Sequence, residues 1–276
     1  MLTFHQVGRR YGFGGPWVLR GVGLALPAGT LARVAGANGT GKSTLLRLAA
    51  GIDAPNAGRI EGRPRTAYVP ERFPPALPFT AHGYLTHLGR VHGLSRRTAR
   101  VRAEHWLDRF GARAHGDTPL AELSKGTVQK VAVAQALLAE PELLVLDEAW
   151  TGLDAEARDA LDEVVTERVA GGASVLFVDH DPRRLAGAVS AAYEVSGTSL
   201  IPAGQGTPRV RIDAEAPPGT NLPEGLPPEV SHETDPSGTV RLTVPAAHSD
   251  ALLRALLTAA DPWHIHRVHP PAARER

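Results

Sequence analysis

Gly36-Ala37-Asn38-Gly39-Thr40-Gly41-Lys42-Ser43 fits the pattern G-x-x-x-x-G-K-[ST], and its reading decides the fold. Glycines there let backbone N–H groups turn toward a phosphate chain, and the Lys42 ammonium supplies a point charge for the β- and γ-phosphates. The Ser43 hydroxyl is an oxygen donor suited to Mg²⁺. A helix opening near Lys42 adds its positive dipole end. The apolar run Leu31 to Ala35 precedes the motif, and Leu45, Leu46, Leu48 and Ala49 follow it. The order strand, loop, helix predicts a nucleoside triphosphate site built from Gly36, Ala37, Asn38, Gly39, Thr40, Gly41, Lys42, Ser43 and Thr44.

Upstream, residues 2–36 read as strands. Leu2, Phe4 and Val7 open one, and Val18, Val22, Leu24 and Leu26 form another before the Pro27-Ala28-Gly29 turn. Downstream, the first helix runs from about Lys42 to Ala50 and stops at Gly51, and Arg65 to Val69 is a strand closed by Pro70. From about 80 to 140 the pattern is helical. Ser95 is the expected N-cap of a helix carrying Val101, Leu107 and Phe110. Its arginines, Arg96, Arg97, Arg100 and Arg102, read as a solvated outer face. A further helix is expected from near Gly126 to before Pro141. Leu143 to Leu146 and Ser174 to Val178 are continuous apolar strands flanking a helix with Ala157, Leu161, Val164 and Val165. Such alternation predicts an α/β fold with a parallel sheet under helices.

Composition shifts near 204. Pro and Gly crowd Gly204-Gln205-Gly206, Pro217-Pro218-Gly219 and Pro227-Pro228. Short strands are expected at Val210 to Ile212, at Val240 to Val244 after a Ser237-Gly238 turn, and at Trp263 to Val268. Leu252, Leu253, Leu256 and Leu257 make a helical stripe. The expected division is a main domain over 1–204 and a small α+β appendage over 205–276, too small to be richly stable alone.

The whole chain has 276 residues, 42% of them hydrophobic, so a sizeable core is within reach. Net charge is 30 − 29 = +1, which gives no electrostatic case for a nucleic-acid partner. Cysteine is absent, which excludes disulfides and thiolate metal sites. No apolar run approaches the roughly 18 residues of a spanning helix, and Met1-Leu2-Thr3-Phe4-His5-Gln6 lacks a basic, then apolar, leader. A cytoplasmic protein is expected.

Asp147-Glu148 ends the apolar strand about 105 residues after Lys42. Asp147 is placed to hold Mg²⁺, directly or through water, and Glu148 to orient and deprotonate an attacking water. Leu123-Ser124-Lys125-Gly126 precedes a helix about 20 residues before Asp147. With these residues the chain resembles the ATP-binding-cassette (ABC) ATPases, the nucleotide-binding subunits of ABC transporters. The resemblance spans about residues 1–204, with the helical subdomain at about 80–125.

The resemblance implies several roles. Ser124 and Gly126 would contact the γ-phosphate bound to a second cassette. Tyr11 lies where an aromatic stacks on adenine, with Phe13 as a rival. Thr151-Gly152-Leu153-Asp154 resembles a loop that crosses the dimer interface. His180, in Val178-Asp179-His180-Asp181, stands at the switch-histidine position, where imidazole meets the γ-phosphate and the attacking water. Catalysis would rest on Glu148, His180 and Lys42, and metal binding on Ser43, Asp147 and Glu71. Glu71 stands where glutamine is usual, Lys125 replaces a glycine, Thr127 a glutamine and Ala149 a proline. Glu71 and Lys125 together point toward exporter-type cassettes.

The expected protein is therefore an ATPase using ATP and Mg²⁺ at a dimer interface. It would drive export through an integral membrane permease subunit and sit peripherally on the inner face of the cell membrane. A soluble cassette ATPase acting on ribosomes, DNA or a protein complex is the alternative, and a regulatory module with little turnover is a third reading. His264 and His266 alternate on one strand and share a face. Even with His269 nearby, they carry no metal-site expectation, because no other ligand is evident.

Overall fold

The structure, a computed structural model, describes residues 1–12, 14–74, 76–181, 183–203, 209–217, 222–223, 226–227, 230–235, 239–245, 248–259 and 261–269. Phe13, Gly204-Gln205-Gly206, Pro218-Gly219, Pro228 and the Ser237-Gly238 turn lie outside these residues. The chain divides into two compact units, Met1–Ala203 and Gly204–Arg276.

In the first unit the elements run β1 (Leu2–Arg10), β2 (Trp17–Leu26), β3 (Leu31–Ala35), α1 (Lys42–Ala49), β4 (Ala57–Glu61), β5 (Thr66–Val69), α2 (Ala81–Val91), α3 (Arg96–Arg109), α4 (Lys125–Leu137), β6 (Leu143–Asp147), α5 (Ala155–Ala170), β7 (Ser174–Val178), β8 (Ala191–Ser196) and β9 (Ser199–Pro202). The central sheet has the order β5-β6-β7-β3-β8-β9, parallel except for β9. A second, antiparallel sheet is ordered β2-β1-β4.

The continuous apolar strands follow from burial on both faces. Leu143, Val145, Leu176 and Val178 join a core with α1 and the antiparallel sheet. Their neighbours Leu144, Leu146, Val175 and Phe177 join a second core with α2, α3, α4 and α5. A parallel sheet sandwiched this way presents the carboxyl ends of β3, β6 and β7 together, where ligands of open α/β sheets bind.

In the helical region Ser95 caps a helix that carries Val101 and Leu107 as expected, and one expectation is corrected. Val101 is 58% exposed, and the buried face of α3 is Ala99, Ala103 and Leu107. Small residues win because α2 lies close: a Cβ added at Gly89 would sit 2.8 Å from the Ala99 Cβ. Arg102 does not belong to a solvated face. It donates to the Leu138 carbonyl at 2.7 Å and pairs with Glu140 at 2.9 Å, tying α3 to the end of α4. Strands β4, β8 and β9 escaped the sequence reading.

The second unit contains β10 (Arg209–Glu215), β11 (Ser231–Thr234), β12 (Thr239–Pro245), α6 (Ser249–Leu257) and β13 (His264–His269). The antiparallel order is β11-β12-β10-β13. Its core is Val210, Ile212, Ala214, Val240, Leu242 and Val244 from the sheet, with Leu252, Leu256 and Trp263. The helical stripe is narrower than expected: Leu253 is partly buried and Leu257 is exposed. The His264 and His266 rings lie 5.0 Å apart, while His269 Nε2 binds Asp213 Oδ2 at 2.9 Å. No group of three metal-ligating side chains forms among the described residues.

Candidate functional site

The loop between β3 and α1 turns on glycines with positive φ. Gly36 has φ 144°, and a Cβ there would meet the Val195 carbonyl at 2.8 Å; Gly41 has φ 103°, with Val18 Cγ1 equally close. No other residue fits both the conformation and the space. The loop wraps the Lys42 side chain, whose Nζ donates to the carbonyls of Gly36 and Ala37 at 2.9 and 3.0 Å. Lys42 therefore sits at the centre of the cradle formed by Gly36 to Gly41, as expected from the motif.

The first turn of α1 faces the end of β6. Ser43 Oγ donates to Asp147 Oδ1 at 3.2 Å, and Tyr68 Oη donates to Asp147 Oδ2 at 2.9 Å. Asp147 is 2% exposed. Burial raises its pKa, the Ser43 and Tyr68 hydrogen bonds oppose that rise, and the charge of nearby Glu71 adds to it. Burial, then Asp147, pushes the Tyr68 phenol up as well. Ser43 and Asp147 are adjacent oxygen donors, and the charge of Lys42 only partly offsets the burial of the carboxylate. That donor set fits a hard divalent cation.

Glu148 adopts φ 53°, the left-handed region that a side-chain-bearing residue occupies at a cost of about 1–3 kcal/mol. Its N–H donates to the Val178 carbonyl at 3.0 Å, which pins the turn to β7. The turn aims the side chain at the loop after β7, where Glu148 Oε1 meets His180 Nε2 at 2.9 Å. The glutamate side chain is 14% exposed and the imidazole 62%. Tyr11, Asn38, Lys42, Ser43, Thr44, Glu71, Glu148 and His180 share one cleft of about 440 Å³, within the size range of small-ligand sites.

Tyr11 stands at the edge of that cleft. Its hydroxyl donates to Asp53 at 3.0 Å and lies 3.2 Å from the Thr44 hydroxyl, while the Arg9 guanidinium lies 4.8 Å from its ring centroid.

Ser124 and Gly126 are not brought to this cleft. Ser124 caps α4, its Oγ accepting the Thr127 N–H at 3.1 Å and lying 2.9 Å from the Thr127 hydroxyl. Gly126 lies against the 148–154 loop, since a Cβ there would sit 2.8 Å from the Gly152 carbonyl. Two more contacts fasten α4 to that loop. Gln129 Nε2 donates to the Ala149 carbonyl at 3.1 Å, and Lys130 binds Asp154 at 2.6 Å. Lys130's hydrogen bond, then the Ala157 N–H, holds the Asp154 carboxyl below its usual value. The Ser124 end of α4 and the loop carrying Glu148 are thus one mechanical piece.

Sequence reasoning missed Tyr68 and Arg33. Tyr68 pairs with Val145 across parallel strands, which carries its phenol to Asp147. Arg33 is a charge inside an otherwise apolar strand, a signal in itself. Its Nη2 donates to the carbonyls of Asp179 and Asp181, on either side of His180.

Residues 19–151 match the family described as ABC transporter. The zinc import ATP-binding protein ZnuC of Cereibacter sphaeroides is 39% identical over 202 residues, covering 71% of this chain and 79% of that protein. The chain belongs to the ABC transporter ATP-binding family. The ZnuC protein of Pseudomonas fluorescens is 36% identical over 186 residues, 66% of this chain and 68% of its own length. A solved structure of the ATP-binding subunit of an ABC transporter superposes with a TM-score of 0.66 at 27% identity, covering 74% of this chain and 89% of its own. The fold is the ABC cassette, a mixed sheet core with a helical subdomain. The chain binds ATP and is an ATPase of this family. Among the described residues no helix is long and apolar enough to cross a membrane.

Proposed function

We propose that this ABC cassette hydrolyses ATP between two cassettes and thereby drives transport through an integral membrane permease. The observation that carries the reading is the 2.9 Å contact between Glu148 and His180 in the cleft that holds Lys42 and Ser43. The triphosphate lies along the Gly36–Gly41 amides with its β- and γ-phosphates at Lys42, and Tyr11 flanks the base. Ser43, Asp147 and Glu71 would hold Mg²⁺, which would neutralise charge developing on the phosphates. Glu148 takes a proton from water as the water oxygen bonds to the γ-phosphorus. The bond from that phosphorus to the bridging oxygen breaks, and ADP leaves. His180 orients Glu148 and the attacking water from the γ-phosphate side.

Ser124 and Gly126 lie outside the cleft of their own chain. Their place at the exposed start of α4 supports a role on the nucleotide of a second copy, with the α4 dipole favouring an anion there. The cassette then works at the inner face of the membrane, moving its permease as the pair opens and closes. The resemblance to zinc import proteins supports uptake, in place of the export direction suggested by Glu71 and Lys125. The 205–276 region is a separate accessory domain on this reading.

Glu148→Gln tests it. Steady-state ATP turnover should fall at least 100-fold while ATP affinity stays within about threefold, because the loss falls on the general base and not on binding. Wild-type turnover in Glu148→Gln would refute the reading.

A further inference from the structure

His180 is exposed, yet its imidazole is held at 2.9 Å from Glu148. An exposed side chain on a loop samples several rotamers and backbone positions unless its surroundings forbid them. Two arginines supply the restraint. Arg33 of β3 donates through Nη2 to the Asp179 and Asp181 carbonyls at 3.2 and 3.1 Å. Arg184 faces the carboxylates of the same two residues, with Nε 3.9 Å from Asp179 Oδ2 and Nη2 4.0 Å from Asp181 Oδ2. The histidine is bracketed by its neighbours' carbonyls and carboxylates.

Arg184 also reaches the loop that carries Glu148. Its Nη1 donates to Asp162 Oδ2 at 2.7 Å, and Asp162 Oδ1 accepts the Trp150 indole N–H at 2.8 Å. The guanidinium lies 5.6 Å from the Trp150 ring centroid. Trp150 is buried two residues beyond Glu148 and packs edge-on against Phe177 of β7. Its carbonyl accepts from Arg158 Nε at 3.4 Å. The Asp162 carboxylate, fixed on α5, therefore joins the glutamate loop to the histidine loop through two directional, charge-assisted bonds. The path from Glu148 through Trp150, Asp162, Arg184 and Asp179 to His180 closes on itself at the Glu148–His180 contact.

We propose that Arg184, acting through Asp162 and Trp150, is a positioning residue that sets His180 against Glu148. It touches neither the nucleotide nor the reacting atoms. The proposal rests on the reading in which Glu148 and His180 carry hydrolysis. Misplacing a reacting pair costs rate and leaves ground-state binding nearly intact.

The test uses the full-length chain with Mg²⁺ and ATP. It compares wild type, Arg184→Ala, Trp150→Phe, His180→Ala and the double variant Arg184→Ala/His180→Ala for kcat, KM and melting temperature. Arg184→Ala should lower kcat about tenfold with KM within twofold. Trp150→Phe keeps the ring and removes only the indole donor, and should lower kcat about threefold. On the His180→Ala background, Arg184→Ala should cost less than a further twofold, because it acts through that histidine. Wild-type kcat in Arg184→Ala, or its full tenfold effect repeated on His180→Ala, would overturn the proposal. Should Arg184→Ala lose its cooperative melt, Trp150→Phe decides: a kcat loss at constant KM supports the bracket, and an unchanged kcat overturns it. If His180→Ala alone keeps wild-type kcat, the hydrolysis reading falls and takes this proposal with it.

Discussion

Two aspartates, one in each unit, are held in opposite ways. Asp147 is buried at the end of β6 with only hydroxyl donors, Ser43 and Tyr68, and burial raises its pKa. Asp213 of β10 is also partly desolvated, which pushes upward. There the His269 hydrogen bond and the charges of Arg211, His269 and Arg241 win, and its pKa is lowered. In the second unit a carboxylate is neutralised by its own sheet. In the cassette the charge of Lys42 and the two hydroxyls fall short of offsetting burial, and the pKa stays raised. A buried carboxylate whose pKa stays raised is a place suited to a cation, whereas one whose charge is already offset is architecture.

The largest contrast should come from replacing each with asparagine. Asp147→Asn should lower ATP turnover at least 1000-fold, since the donor for the cation is lost. The same variant should melt about 2–3 °C higher at neutral pH, because it no longer buries a charge. Asp213→Asn should leave turnover within twofold and melt lower. Parallel activity and calorimetry on both variants check this, and equal effects of the two on turnover would erase the distinction.

The pH dependence carries the opposite signs. Asp147 binds its proton more tightly in the folded chain than in the unfolded one. Its contribution to stability is therefore greatest at low pH and declines as pH rises from the unfolded value of 3.8 through the folded value. Asp213 has a depressed folded pKa. It contributes stability above 3.8, and that contribution is lost as pH falls through its folded value. Melting curves from pH 3 to 7 should show a flatter acid limb for Asp213→Asn and a steeper one for Asp147→Asn, each relative to wild type. Identical acid limbs for the two variants would contradict the assignment.

A separate test lies at Glu148, whose φ of 53° stores strain. Glu148→Gly should abolish turnover yet raise stability by about 1 kcal/mol, read as a melting shift of about 2–4 °C. A glycine variant that melts below wild type would place the strain elsewhere. Smallest of all is Tyr68→Phe, which removes one donor from Asp147 and should lower kcat about tenfold with the fold intact.

The phosphate loop and the Asp147-Glu148 strand end were legible as local patterns beside apolar strands, whereas His180 was singled out only through the family resemblance. The parallel core was legible because strands buried on both faces lose their alternation. What stayed hidden depends on distant partners. Val101 is apolar yet exposed, because close packing of α2 on α3 at Gly89 and Ala99 selected small residues for the buried face. Arg102 looked solvated, but the last turn of α4 offers it a carbonyl. Short exposed strands such as β4 and β11 carry no apolar signal to read. The link from Arg184 to Trp150 joins positions 34 residues apart that only α5 brings together.

The central claim is that each nucleotide site is shared, with Lys42 from one copy and Ser124 from another. Mixing two inactive variants, Lys42→Ala and Ser124→Arg, measures this directly. Each alone should turn over ATP at under a few per cent of wild type. In an equimolar mixture half of the pairs are mixed, each with one intact site, so turnover should recover to about a quarter of wild type. Full activity in Ser124→Arg alone, or a mixture no more active than its components, would contradict it.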